Sequence, residues 1–175
     1  MRPLVVLDID GVLADVRHRL HHLAARPKDW DGFFAAATDD DVLEVGAQFA
    51  RQAAATHDVL YLTGRPERLR LATQTWLEMH ALPPGALLMR GNDDRRPSAA
   101  MKLQALRALR RTAAVDLVVD DDPSVVTAAR AAGFTVRQAD WMPTPSRRRA
   151  THPSDADALF GSDLLHDAQE HEGQT

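Results

Sequence analysis

Two aspartates one residue apart, Asp8 and Asp10, close the apolar run Leu4 to Leu7 and are followed at once by Gly11. A strand ending in a turn would account for them, because Asp and Gly are ordinary turn residues. A second acidic cluster, Asp120 to Asp122, closes the apolar run Val115 to Val119 in the same way. If both runs are neighbours in one parallel sheet, their carboxyl ends share a rim and lie about 5 Å apart. Converging carboxylates repel one another unless a cation neutralises them. An oxygen-only ligand set in a chain without cysteine suits Mg2+ better than zinc. Such an ion would keep Asp8 ionised and accept the charge of a phosphate oxygen. The Asp8 carboxylate would then be free to attack phosphorus, with Asp10 placed to supply and remove the proton.

Further residues fit the same chemistry. "LYLTGR", residues 60 to 65, sets Thr63 and Gly64 at the end of a strand, where a hydroxyl and exposed amides can hold phosphate oxygens. Lys102 opens a helix after "MRGNDDRRPSAAM" and offers a point charge to both a phosphoryl group and Asp8. Taken singly, a TGR triplet or a helical lysine carries little information. Asp122 before "PSVV" reads as a helix cap, with Pro123 in the first turn.

The elements that must position these residues alternate. Strand-like runs at Leu4 to Leu7, Val59 to Leu62, Leu87 to Met89, Val115 to Val119 and, more weakly, Phe134 to Val136 are separated by amphipathic helical stretches. Those stretches are Val42 to Thr56, Glu67 to Met79, Ala99 to Arg111 and Ser124 to Ala132, the last closed by Gly133. The rhythm predicts an α/β fold with a parallel sheet. The segment from about Asp15 to Asp41 breaks it and reads as a small helical cap inserted after the first strand. Its His18, His21 and His22 face solvent or phosphate more readily than a zinc ion, and its Trp30, Phe33 and Phe34 read as the cap's own core. Residues 144–175 are polar and charged with little periodic apolar content, so a mobile tail is expected there.

A chain of 175 residues with 45% hydrophobic and 26% charged residues has the composition of one soluble globular domain. No apolar run approaches the roughly 20 residues that span a bilayer, and no secretory leader precedes the first strand, so a cytoplasmic location away from membranes is expected. The absence of cysteine excludes thiolate chemistry, and a net charge of −4 argues against a coat for nucleic acid while leaving room for a local phosphate-binding patch.

In order, DxDG at 8 to 11, the strand-terminal Thr63, Lys102 and the pair Asp120 and Asp121 resemble the four motifs of the haloacid dehalogenase (HAD) phosphohydrolase superfamily. The resemblance spans about residues 4 to 143. It implies a three-layer Rossmann-like core, with Asp8 as nucleophile and Asp10 as general acid and base. It also implies Mg2+ held by Asp8, the carbonyl of Asp10 and, of the acidic pair, Asp121 rather than the supporting Asp120. "TGRPERLRLATQTWLEMHAL", "LLMRGNDDRRPSAAMK", "VVDDDPSVV" and "ADWMP" are similar, more narrowly, to the 3′-phosphatase domain of polynucleotide kinase-phosphatases. That likeness implies substrate contacts by Arg19, Gly64, Arg65, Asp94 and Arg96. It also implies a phosphorylated nucleic-acid end as substrate, with kinase and ligase supplied by separate proteins. "DGVLAD" also occurs in deoxyribonucleotidases of the superfamily, which leaves a nucleotide monophosphate as the alternative substrate. A catalytically silent module that binds phosphorylated ends is the alternative of another class. Oligomeric state has no signature in the sequence.

Overall fold

In the computed structural model, residues 2–24 and 26–142 are described, and they belong to one compact unit. The expected tail, 144–175, lies outside the described residues. Leu4–Leu7 forms strand β1 at the centre of the sheet. A strand covered on both faces must be apolar on both, which explains the unbroken hydrophobic run. Val5 and Leu7 enter one cluster and Val6 enters the other.

After β1 come β2 (Ala14–Asp15), α1 (His21–Ala24), α2 (Trp30–Ala35), β3 (Asp41–Val42), α3 (Glu44–Ala54) and β4 (Asp58–Pro66). Then follow α4 (Arg70–Met79), β5 (Gly85–Arg90), α5 (Ser98–Leu109), β6 (Val115–Asp120), α6 (Pro123–Ala131) and β7 (Val136–Gln138). Single 3-10 turns occupy Arg17–Arg19, Ala36–Asp39 and Glu67–Leu69. The sheet has the order β5-β4-β1-β6-β7, with every pairing parallel. Ala47 and Ala50 of α3 pack with Trp76 and Leu77 of α4 against Val5, Leu7, Val59 and Tyr61. Leu106 of α5 and Ala129 of α6 pack against Val6, Leu60 and Val118. The result is a three-layer α/β sandwich around the parallel sheet that the alternation predicts.

Two of the boundaries that differ from the expectation do so for a local reason. The second long strand does not stop at Leu62. It runs to Pro66, with a register shift against β5 between Leu62 and Pro66 that takes up Thr63, Gly64 and Arg65. Such a shift bends the strand and re-aims its side chains, often beside a site. The last strand begins at Val136, not Phe134. Gly133 adopts a φ of 80° and the Phe134 amide donates to the Ala129 carbonyl at 3.1 Å, so Phe134 finishes the helix cap and buries its ring.

The segment between β2 and β3 is made of short helical turns, and the two strands pair antiparallel at its base, Ala14 with Val42 and Asp15 with Asp41. Trp30 meets Phe33 edge-on and stacks on Phe34, giving the segment a small aromatic cluster. Among the described residues no helix is long and apolar enough to cross a membrane.

Candidate active site

From β1 the chain moves outward to β4 and β5, then crosses back to β6 and β7 on the other side. The crevice at the carboxyl ends of β1 and β6 is therefore the point where the winding reverses, the usual ligand position in open α/β sheets. Register fixes what lies there. Leu7 is paired with Val119, and the Asp8 amide donates to the Val119 carbonyl at 2.9 Å, so Asp8 and Asp120 continue side by side. Carboxylate oxygens of Asp8, Asp120 and Asp121 all lie within 4.8 Å of one another. Among the described residues this is the one such group of metal-binding side chains, and it does not include the cap histidines.

Lys102, on α5, reaches into the group and is 2% exposed. Its ammonium lies 2.6 Å from Asp8 Oδ2 and 2.7 Å from Asp120 Oδ2. Burial alone would push the ammonium toward its neutral form, but the two carboxylates hold it protonated. Burial raises Asp8 well above the usual carboxylate range despite Lys102, with Asp120 and Asp121 adding to the rise. It raises Asp120 as well, against the opposing pull of Lys102. Asp121 is pushed up to about 7, by burial first and by the charge of Asp120 second.

An oxygen-binding cation fits this set. Asp8 Oδ1 is buried without any hydrogen-bond partner, which is a costly state for a carboxylate oxygen. Asp121 crowds Gly11, where φ is 76° and a Cβ would lie 2.2 Å from Asp121 Oδ2. Only glycine allows both that backbone conformation and that approach. Asp120 Oδ1 accepts from the Asp122 amide at 3.0 Å, and Asp122 in turn caps α6 by accepting from the Ser124 amide at 2.8 Å, the role expected of it.

The raised carboxyls predict a pH dependence. The folded, metal-free protein keeps protons that the unfolded chain has already lost, so these groups add stability below the ordinary carboxyl value of 3.8 and lose it as pH rises through about 7. A divalent ion needs the ionised forms. The increase in melting temperature on adding Mg2+ is therefore expected to be larger at about pH 7.5 than at about pH 5.5. Thermal melts with and without the ion check this, and equal increments at both pH values would contradict it.

Asp10 has a different environment. Arg65 Nη2 donates to its Oδ1 at 2.6 Å, Arg65 Nε at 2.9 Å and Arg19 Nη2 at 2.8 Å. Burial pushes the Asp10 carboxyl up, but the charges and hydrogen bonds of Arg65 and Arg19 outweigh it and hold the group below its ordinary value. Both arginines are buried, at 0% and 1% exposure. They share a second carboxylate, Asp40, that no motif marked. Thr63 is fully buried and its hydroxyl accepts the Arg65 amide at 3.2 Å, so it orders the turn that aims Arg65. The Gly64 carbonyl accepts from Arg90 Nε at 3.3 Å. Asp94 and Arg96 pair with each other at 2.6 Å, and the Arg96 carbonyl receives Arg90 Nη1 at 2.7 Å. Among the described residues no hydrogen bond or ion pair joins Asp94 or Arg96 to Asp8, Asp10 or Lys102.

Comparison with known proteins gives a family match and fold superpositions. The model of the polynucleotide kinase PNKP phosphatase domain family matches residues 2–141. A chain in the Pnkp1/Rnl/Hen1 RNA repair complex superposes with a TM-score of 0.67 at 23% identity, covering 78% of this chain and 42% of that one. A HAD family enzyme from Bacteroides thetaiotaomicron, complexed with magnesium and inorganic phosphate, superposes with a TM-score of 0.52 at 10% identity, covering 83% and 98%. Protein tyrosine kinase A of Mycobacterium tuberculosis gives a TM-score of 0.57 at 17% identity, covering 87% and 91%. The chain thus spans less than half the length of the RNA repair protein it resembles. No curated protein matches its sequence. The chain belongs to the HAD family of polynucleotide kinase PNKP phosphatase domains.

Proposed function

We propose that the protein is a Mg2+-dependent phosphomonoesterase that works through an aspartyl-phosphate and removes 3′-phosphate from nucleic-acid ends. The observation that carries this reading is the state of Asp8, with one oxygen on Lys102 and the other buried without a partner beside Asp120 and Asp121. Asp8, Asp120 and Asp121 would hold the ion, together with the Asp10 carbonyl. When bound, it supplies a positive charge that offsets the phosphate and the crowded carboxylates.

An Asp8 oxygen attacks phosphorus in line, forming the Asp8–phosphorus bond as the bond to the departing oxygen breaks. Asp10 gives its proton to that oxygen, which leaves as a free hydroxyl. Water then attacks phosphorus, Asp10 takes a proton from it, and inorganic phosphate departs with Asp8 restored as a carboxylate. The arginines favour ionised Asp10, which suits this second step. A phosphate dianion arriving beside Asp10 raises its proton affinity and so loads it for the first step. Lys102 stabilises charge on the transferring group, and Thr63 and Gly64 shape the turn that faces it.

The likeness to a chain of an RNA repair complex supports a polymer end as the substrate. The product, a free 3′-hydroxyl, is what a ligase consumes, so a ligase and a kinase are the partners this reading implies. Phosphate release from a 3′-phosphorylated oligonucleotide, measured against release from mononucleotides with Mg2+ present, tests it. Preference for the oligonucleotide, lost on chelation, is expected. Preference for mononucleotides would make the protein a nucleotidase, and no release from either would leave only a silent binding module.

A further inference from the structure

We infer that Asp40 is a positioning residue: by occupying the forked face of Arg19, it keeps one oxygen of Asp10 free for proton transfer to the leaving group. The inference rests on the phosphatase reading above. Asp40 is 3% exposed, and both its oxygens are engaged. Oδ1 accepts Arg19 Nε at 2.7 Å and faces His18 Nε2 at 2.8 Å. Oδ2 accepts Arg19 Nη2 at 2.7 Å and Arg65 Nη2 at 2.7 Å. Its main-chain carbonyl accepts the Trp76 indole N–H at 2.8 Å, which ties it to the helix behind the site.

A guanidinium prefers two parallel bonds to one carboxylate. Arg19 makes that forked pair with Asp40, through Nε and Nη2, and spares only Nη2 for Asp10. Its plane is further fixed against the Phe33 ring, 4.1 Å from the ring centre, and its Nη1 donates to the Phe33 carbonyl at 3.4 Å. Arg65 also shares its Nη2 between the two carboxylates. All three arginine contacts to Asp10 therefore fall on Oδ1, and among the described residues no hydrogen bond reaches Oδ2. Without the Asp40 charge, the two buried cations would face one carboxylate. Arg19 would be free to turn its fork onto Asp10 and take up both oxygens.

A loss of this kind is selective. Expelling the alkoxide of a sugar requires a proton in the transition state, whereas nitrophenolate leaves without one. Asp40→Asn is nearly isosteric and removes the charge. It is expected to lower the single-turnover rate of ester cleavage on a 3′-phosphorylated oligonucleotide by about 10- to 100-fold, part of the roughly 100- to 10,000-fold that a positioned acid supplies. On p-nitrophenyl phosphate, whose leaving group needs no acid, the single-turnover release of nitrophenolate is expected to change by less than about 3-fold, while the later hydrolysis, which uses Asp10 as base on either ester, slows alike for both. Should Asp40→Asn not fold, His18→Ala, which removes one partner of Asp40 at a half-exposed side chain, is expected to move the same ratio in the same direction by a smaller factor. Equal losses on both esters in the single-turnover cleavage step would reduce Asp40 to a structural role and overturn the inference. A wild-type protein that hydrolyses the aryl ester but not the oligonucleotide overturns the substrate reading. One that hydrolyses neither overturns the phosphatase reading, and Asp40 with it.

Discussion

Asp8→Asn is expected to lower kcat by about four to six orders of magnitude, the scale on which loss of a catalytic nucleophile acts, while leaving the protein folded. The amide is not a nucleophile toward phosphorus, yet it keeps the shape of the side chain and can still accept from Lys102, which lies 2.6 Å from Asp8 Oδ2. Burial first, and then the neighbouring carboxylates Asp120, Asp121 and Asp10, raise the Asp8 pKa despite Lys102, so its ionised form is the strained one in the metal-free protein. Neutralising it relieves that repulsion. The metal-free variant is accordingly expected to melt no lower than wild type near pH 7.5, a sign that follows because a group with a raised folded pKa loses its stabilising contribution as pH rises. Mg2+ should raise its melting temperature less than that of wild type, since one ligand is gone. Phosphate release and thermal melts on the same purified protein check both halves. Substantial turnover by Asp8→Asn would refute the nucleophile assignment outright.

The crevice was legible in the sequence because its geometry follows from strand ends. Two apolar runs that each close on acid must bring those acids together if the runs are parallel neighbours, and Leu7 does lie opposite Val119. Asp122 was legible for a similar reason, since a cap is a local motif followed by Pro123. Arg19 and Arg65 were visible as residues but not as a buried pair, because burial of arginine depends on a partner that sequence spacing does not reveal. That partner, Asp40, sits in an acidic run, Asp39 to Asp41, where periodicity distinguishes none of the three. The signal was indirect: two arginines placed at a crowded rim require a carboxylate beyond Asp10 to balance them. The order of Asp94 before Lys102 is visible in the sequence, whereas the short turn in which Asp94 accepts the Arg96 amide two residues on, at 3.0 Å, is not.

Lys102→Met should be the most destabilising single change in the site, by about 3–5 kcal/mol near neutral pH in the absence of metal, the usual cost of removing one partner from a buried ion pair. Methionine keeps most of the lysine stem, so no large cavity opens and the loss is electrostatic. Lys102 Nζ is held between Asp8 and Asp120 at 2.6 and 2.7 Å, and its removal leaves three neighbouring carboxyls with no cation. Their proton affinities rise further, so the variant gains stability as pH falls and loses it as pH rises through the folded values. The deficit against wild type is expected to shrink at about pH 5.5 and also on adding Mg2+, which replaces the missing charge and stabilises the folded state by mass action. Turnover does not recover with stability. The ion restores neutrality, but not a donor aimed at the transferring phosphoryl group, so kcat should stay about 100- to 1,000-fold down with Mg2+ saturating. Denaturant melts at two pH values, with and without Mg2+, separate this from a packing defect, because lost packing would cost the same under all four conditions.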